Sequence, residues 1–368
     1  MRHTDLIATL ALLQVDGIGS VLAKKLIHRF GSAAEVFHAK PRHIAAIEGL
    51  GPQVARHFKS PDLFVKAEKE CRFLEQKGYT AHYFMESDYP ERLKHCYDGP
   101  VLLFGSGQMD LNPKRMISIV GTREITPYGI DFTRKLLEDL APLNPVIVSG
   151  FAYGVDIVAH RTAMELGLQT IGVLAHGLNQ IYPKPHKKYR SRMEACGGFL
   201  TEFRSDANPD RENFVRRNRI VAGMSEATIV IESAEKGGSL ITAHWANEYN
   251  REVFAVPGRC TDKFSQGCNT LIKTQRAHLL NNAADLMYHL NWELETKSNS
   301  RGVQKQLFVE LTTEEQQLYT ILQQHGKMLL DELALHGQFP VSKVSMLLLN
   351  MELKGVVRPL PGKWFEAV

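Results

Sequence analysis

Cysteine is scarce in this chain of 368 residues: Cys71, Cys96, Cys196, Cys260 and Cys268, an odd number with no CxxC spacing. That pattern excludes a disulfide framework and the usual zinc spacings, and it fits reduced thiols in a cytoplasmic protein. Excess charge is also lacking, because 44 Lys+Arg against 40 Asp+Glu leave a formal +4. No apolar run approaches the roughly 18 residues that a membrane span needs. The apolar stretch from Leu6 to Leu13 runs into Asp16-Gly17-Ile18-Gly19 without a small-residue cleavage site, so it does not read as a signal peptide. GxGxxG and GxxxxGKS/T are absent, so no dinucleotide or ATP cofactor is indicated. Nucleophile elbow, HExxH and paired-carboxylate motifs are missing too, so neither a catalytic group nor a metal site is expected.

What is present falls into three parts. Residues 1–82 read as helical and repeat one pattern, Gly17-Ile18-Gly19 before Ala23-Lys24-Lys25-Leu26 and Gly49-Leu50-Gly51 before Val54-Ala55-Arg56. Two helices around a tight glycine turn make a helix-hairpin-helix unit, whose helix start offers N–H groups to a phosphate. This part holds 12 basic and 8 acidic residues, an excess equal to that of the whole chain.

Residues 83–295 alternate apolar runs (116–120, 146–149, 170–174, 199–201, 228–231, 253–256) with helical stretches such as 130–140, 155–166 and 240–249. Continuous β-branched runs between amphipathic helices predict a Rossmann-like α/β domain, a doubly wound parallel sheet covered on both faces. Residues 296–312 are polar and aperiodic, as a linker is. Residues 313–368 show three helical patterns and a hairpin-like tail, the outline of a winged helix. That last part carries 5 basic and 6 acidic residues from 314 onward, which favours a protein-contact or accessory role over reading DNA.

In an open parallel sheet, ligands bind beyond the carboxyl ends of the strands. Those ends carry Gly121-Thr122-Arg123, Gly150-Phe151-Ala152-Tyr153-Gly154, His176-Gly177 with Tyr182-Pro183-Lys184, and Gly237-Gly238-Ser239-Leu240-Ile241-Thr242. Glycines admit close approach and helix starts offer unpaired N–H donors, so four such loops predict a polyanion or a nucleotide gripped from several sides. Two cationic runs with interleaved aromatics lie in the same domain, 184–192 with Tyr189 and 211–219 with Phe214. Arg216, Arg217 and Arg219 precede Ile220-Val221-Ala222, so the helix there is expected to start cationic against its own dipole. Asp156 and His160, four apart on one helix, read as a structural pair.

Together these residues resemble the DNA-processing family DprA, also called Smf. The carrying stretches are Ile119-Val120-Gly121-Thr122-Arg123, Ser149-Gly150-Phe151-Ala152-Tyr153-Gly154-Val155-Asp156, Arg217-Asn218-Arg219-Ile220, Gly238-Ser239-Leu240-Ile241-Thr242-Ala243 and Val256-Pro257-Gly258, in order across about residues 85–290. The resemblance implies a non-catalytic bacterial cytoplasmic protein that binds single-stranded DNA without sequence preference. It also implies that the protein loads the recombinase RecA onto incoming strands during natural transformation. The DNA site it implies comprises Arg123, Gly150, Lys184, Asn218, Arg219, Gly238, Ser239 and Thr242, to which composition adds Phe214 as a stacking candidate. It further implies a homodimer through residues 268–280, with Leu271 and Ile272 available. The chain departs from the family at His186 in its YPxxN pattern, at Val215 in FPxRNR and at Gln275-Arg276-Ala277, the last within the self-association segment.

Two other functions compete on sequence alone. One is an enzyme acting on a nucleotide, which needs an acid or base from Glu202, Glu232 or Asp156. The other is a duplex-reading regulator acting through residues 313–368.

Overall fold

The computed structural model describes residues 2–293, 311–360 and 364–367, and the chain forms two compact units that divide near residue 294. In the first unit, apolar runs with every residue buried make the central strands: β3 (Met116–Val120), β4 (Val146–Ser149), β5 (Thr170–Val173) and β7 (Ala227–Val230). With β6 (Gly197–Thr201), β8 (Glu252–Ala255) and β9 (His278–Leu279) they form a parallel array in the order β6-β5-β4-β3-β7-β8-β9. β1 (Thr80–Tyr83) and β2 (Leu102–Gly107), like β9 outside the runs expected from sequence, extend it antiparallel on the β6 side to nine strands. The fold is therefore Rossmann-like with a mixed edge. β2 ends Gly105-Ser106-Gly107, a composition poor in strand formers, which hid it from periodicity.

Helices Pro127–Leu140, Val155–Glu165, Arg211–Met224 and Ser239–Glu248 follow strands in the βα order and bury apolar faces on the sheet. The strand order reverses at β3, whose neighbours are β4 on one side and β7 on the other. The crevice outside the carboxyl ends of these strands is the topological switch point.

The N-terminal helices include both expected hairpins, His3–Leu12 with Ser20–Phe30 and Pro41–Ala45 with Pro52–His57. Gly17 and Gly49 take φ of +86° and +88°, which explains glycine at each turn. These helices belong to the same compact unit as the sheet. The Glu70 carboxylate accepts the Ser205 N–H at 2.9 Å and its hydroxyl at 2.6 Å, and Arg204 donates to the Gln14 side chain. β1 begins at Thr80, so the sheet starts slightly before residue 83.

In the second unit, helices Thr313–His325, Leu330–Gly337 and Val341–Leu353 pack on a three-stranded sheet, β10 (Met328–Leu329), β12 (Trp364–Ala367) and β11 (Val357–Leu360). This is a winged helix. Its first helix is capped by Thr312, whose hydroxyl accepts the Glu315 N–H while the Glu315 carboxylate accepts the Thr312 N–H. The expected linker, 296–312, lies outside the described residues except for its last two.

Candidate nucleic-acid interface

A groove of about 830 Å³ opens at the switch point. The β3 end contributes Gly121, Thr122 and Arg123; the β4 end contributes Gly150, Ala152 and Asp156. The far wall is the loop and helix start from Ser233 to Thr242, and helix Arg211–Met224 closes the third side with Phe214, Arg217 and Asn218. Arg123, Arg211, Arg217 and Lys236 face one carboxylate, Asp156, so the lining is cationic although the chain is nearly neutral. Helix Ser239–Glu248 begins at this groove without a side-chain cap, which leaves its positive dipole end toward the cavity.

Arg217 is the floor. Its side chain is 4% exposed and donates to the Gly150 carbonyl at 2.6 Å, to the Val173 carbonyl, and through Nε to Asn218 at 3.2 Å. Burial lowers its pKa to about 10, still far above neutrality, so the guanidinium stays charged. Asp156, buried beside it, accepts the Ala152 N–H at 3.1 Å; burial pushes its carboxyl up, and Arg217 opposes that rise. Arg123 is exposed and stands 5.4 Å from the centre of the Phe214 ring, with the Arg217 guanidinium at 5.9 Å from the same ring. Phe214 also meets Tyr182 edge-on at 5.7 Å, which places the Tyr182-Pro183-Lys184 segment at the rim. Lys184 is exposed there and does not line the groove.

The glycines serve unlike ends. A Cβ at Gly150 would lie 2.5 Å from the Arg217 guanidinium and 2.7 Å from the Asp156 carboxylate, so Gly150 makes room for protein. Gly154, at φ +73°, admits the Thr122 and Arg123 backbone. Gly238 has open space where a Cβ would stand, so it is the position at which a ligand backbone fits. Ser239, buried, donates its hydroxyl to Ser233 Oγ at 2.9 Å, and Thr242 is buried along the same wall.

The structure thus assembles Arg123, Gly150, Phe214, Asn218, Gly238, Ser239 and Thr242 around one groove and leaves Lys184 at its edge. Arg219 is not brought there. It is buried with Glu202 at 2.5 Å, approaches Asp98 at 3.8 Å and donates to the Asp98 carbonyl at 2.6 Å. Its charge is spent inside the protein. The expected dipole conflict also disappears, since the helix starts at Arg211 with Glu212 in its first turn and the other arginines sit deeper in it.

Of the three carboxylates offered for catalysis, only Asp156 lines the groove. Glu202 holds Arg219, and Glu232 accepts the Thr126 N–H at 2.9 Å and the Thr126 hydroxyl. His160 is fully buried, with Nδ1 on Thr170 Oγ1 at 2.7 Å. Leu271 is buried in the core of its own chain, while Ile272 is half-buried near the β9 edge, where Leu279 is exposed.

The chain is similar to known proteins over most of its length. Residues 80–291 match the family model for DNA recombination-mediator protein A, residues 306–363 a DprA winged helix domain, and residues 9–57 a SAM-like helix-hairpin-helix tandem. The chain is 34% identical over 341 residues to Protein Smf of Escherichia coli, covering 88% of each chain. It is 39% identical over 216 residues to DNA processing protein DprA of Bacillus subtilis, covering 58% of this chain and 72% of that one. The X-ray structure of DNA processing protein A from Streptococcus pneumoniae superposes with a TM-score of 0.66 at 30% identity, covering 78% of this chain and 98% of that one. The Helicobacter pylori DNA processing protein A, solved for its unique single-stranded DNA binding mode, gives a TM-score of 0.52 at 30% identity over 58% of this chain and 95% of its own.

Proposed function

Given that the chain belongs to the DNA recombination-mediator protein A family, we propose that it binds single-stranded DNA without sequence preference in the switch-point groove and loads RecA onto the bound strand during natural transformation. The observation that carries this reading is the groove itself: four cations against one carboxylate, one aromatic ring under two guanidiniums, and an uncapped helix start, all around open space at Gly238. Phosphates would pair with Arg123 and Lys236 and with Lys184 at the rim, while Arg217 supplies a fixed field from below. Bases would stack against Arg123 and Phe214, contacts that tolerate any sequence because every base has a π-face.

The reading is non-catalytic. Arg217 and the Ala152 N–H already engage Asp156, and among the described residues no second carboxylate lines the groove. The protein would act in the cytoplasm, as a homodimer formed through residues 268–280, where Ile272 is half-buried and Leu279 exposed, whereas Leu271 is taken up by the core of its own chain. Among the described residues no helix is long and apolar enough to cross a membrane.

The test of the loading step is RecA filament assembly on oligonucleotides precoated with single-strand-binding protein. Stoichiometric addition of this protein is expected to restore assembly, and Arg123→Ala to lose the effect. Unaltered filament assembly with the wild-type protein would remove the mediator role while leaving DNA binding to be judged separately.

A further inference from the structure

The first and last helices of the N-terminal part, His3–Leu12 and Asp62–Lys77, pack along one another. At one end of their contact three side chains of different donor type converge. Cys71 and Glu75 are four residues apart and share a face of the second helix. His3 opens the first. His3 Nδ1 lies 3.0 Å from Glu75 Oε1 and 3.6 Å from Cys71 Sγ, and Sγ lies 4.0 Å from Oε1.

A tetrahedral zinc ion bonded at about 2.3 Å to sulfur and about 2.0–2.1 Å to nitrogen and oxygen holds such atoms roughly 3.3–3.6 Å apart. The observed triangle meets that requirement with shifts of about half an ångström or less. We propose that His3, Cys71 and Glu75 form a binding site for a zinc-type divalent transition metal, which clips the two helices together.

The donor set gives the class of metal. Thiolate and imidazole favour zinc and its borderline-soft neighbours over magnesium or calcium, which prefer all-oxygen sites. A thiolate, a carboxylate and a neutral imidazole leave the +2 ion with no net charge. As the Sγ–metal bond forms, the Cys71 thiol releases its proton to solvent. Burial, with Glu75 and Glu70 nearby, raises the Cys71 thiol. His3 and Glu75 are exposed, which leaves the fourth tetrahedral position open to water. The site lies on the N-terminal helices and shares no residue with the groove lining, so it stands apart from the DNA reading.

The experiment uses the full chain, freed of metal by a chelator and titrated with Co²⁺. The expected result is a one-to-one thiolate-to-cobalt charge-transfer band that Zn²⁺ displaces. The band is expected to vanish in Cys71→Ser, to need at least about tenfold more Co²⁺ in Glu75→Ala, and to persist when exposed Cys260 is replaced by Ser. Saturating Zn²⁺ should raise the melting temperature of the wild type by about 2–5 °C and leave Cys71→Ser unmoved. Single-stranded DNA affinity should be the same with and without Zn²⁺. Absence of the band at stoichiometric Co²⁺, or its survival in Cys71→Ser, would overturn the site. A melting temperature insensitive to Zn²⁺ would overturn the clip.

Discussion

Three arginines within four residues have three different fates. At about 100° per residue along a helix, Arg216 points outward over Phe203, Arg217 points into the groove, and Arg219 points back to Glu202 and Asp98. The sequence marks the cluster as cationic, but which arginine meets a ligand depends on helix phase against the sheet. For that reason the sequence names Arg217 only within the cationic run and places Arg219, not Arg217, in the site. Removing Arg219 takes from buried Glu202 its closest partner and leaves only the longer contact with Arg216 at 3.5 Å, which costs up to about 3–5 kcal/mol. Arg219→Ala should therefore lose that much stability in chemical denaturation and keep the DNA salt slope of the folded fraction. Unchanged stability with a reduced slope would return Arg219 to the DNA. His160 gives a second residue-scale expectation. Thr170 Oγ1 donates to the Ile147 carbonyl at 3.0 Å, so it accepts from His160 Nδ1–H, and Nε2 is buried without a partner. A second proton has no acceptor there, and burial drives the pKa down from 6.5 to about 3. A depressed histidine contributes stability that is present above about pH 6.5 and lost as pH falls toward 3, on the order of 5 kcal/mol. Raised Asp156 acts in the opposite sense. Denaturation at pH 7 and pH 4.5 should thus show a smaller pH difference in His160→Gln than in the wild type, and an equal difference would refute the assignment.

At the scale of elements, the loops after β3, β4 and β7 were legible because glycines at successive strand ends have few other reasons to recur. What the sequence withheld is whether each glycine makes room for a ligand or for the protein. Gly150 makes room for Arg217 and Asp156, whereas Gly238 faces open space. Gly150→Ala should accordingly cost about 1–3 kcal/mol by overpacking and displace the guanidinium. Gly238→Ala should keep stability within about 0.5 kcal/mol and still weaken single-strand binding, because its methyl enters the groove. Denaturation and fluorescence titration of both variants separate the two roles, and a destabilised Gly238→Ala with unchanged affinity would contradict them. β2 escaped notice for the opposite reason: a strand that ends Gly-Ser-Gly is held by its neighbours rather than by propensity. The His3, Cys71 and Glu75 triad carries no spacing signal at all, since His3 and Cys71 are 68 positions apart and meet only through helix packing. In the winged helix, helix Val341–Leu353 exposes Val341, Met346 and Leu349, and its Lys343 is paired with Glu314 at 2.5 Å. That surface is poor in free cations, in keeping with the acidic balance read from its sequence.

At the scale of the whole molecule, a formal charge of +4 conceals the groove on which the proposed function rests, where among the described residues four cations line the wall against one carboxylate. Hydrophobic periodicity and turn chemistry divide the sequence into three parts, whereas the structure joins the first two in one compact unit, because contacts such as Glu70 with Ser205 and Arg204 with Gln14 link distant segments. Ending the chain at residue 293 should leave single-strand affinity within about twofold, as measured by titration, if the groove is the grip. The most direct measurement of the central claim is the salt dependence of single-stranded oligonucleotide binding. Arg123, Arg211, Arg217 and Lys236, with Lys184 at the rim, set an upper limit of five neutralised phosphates, hence a log–log slope of up to about −3.5. Arg123→Ala should flatten that slope by about 0.7 and lower affinity. A slope near zero, or an Arg123→Ala protein with wild-type slope and affinity, would contradict the account.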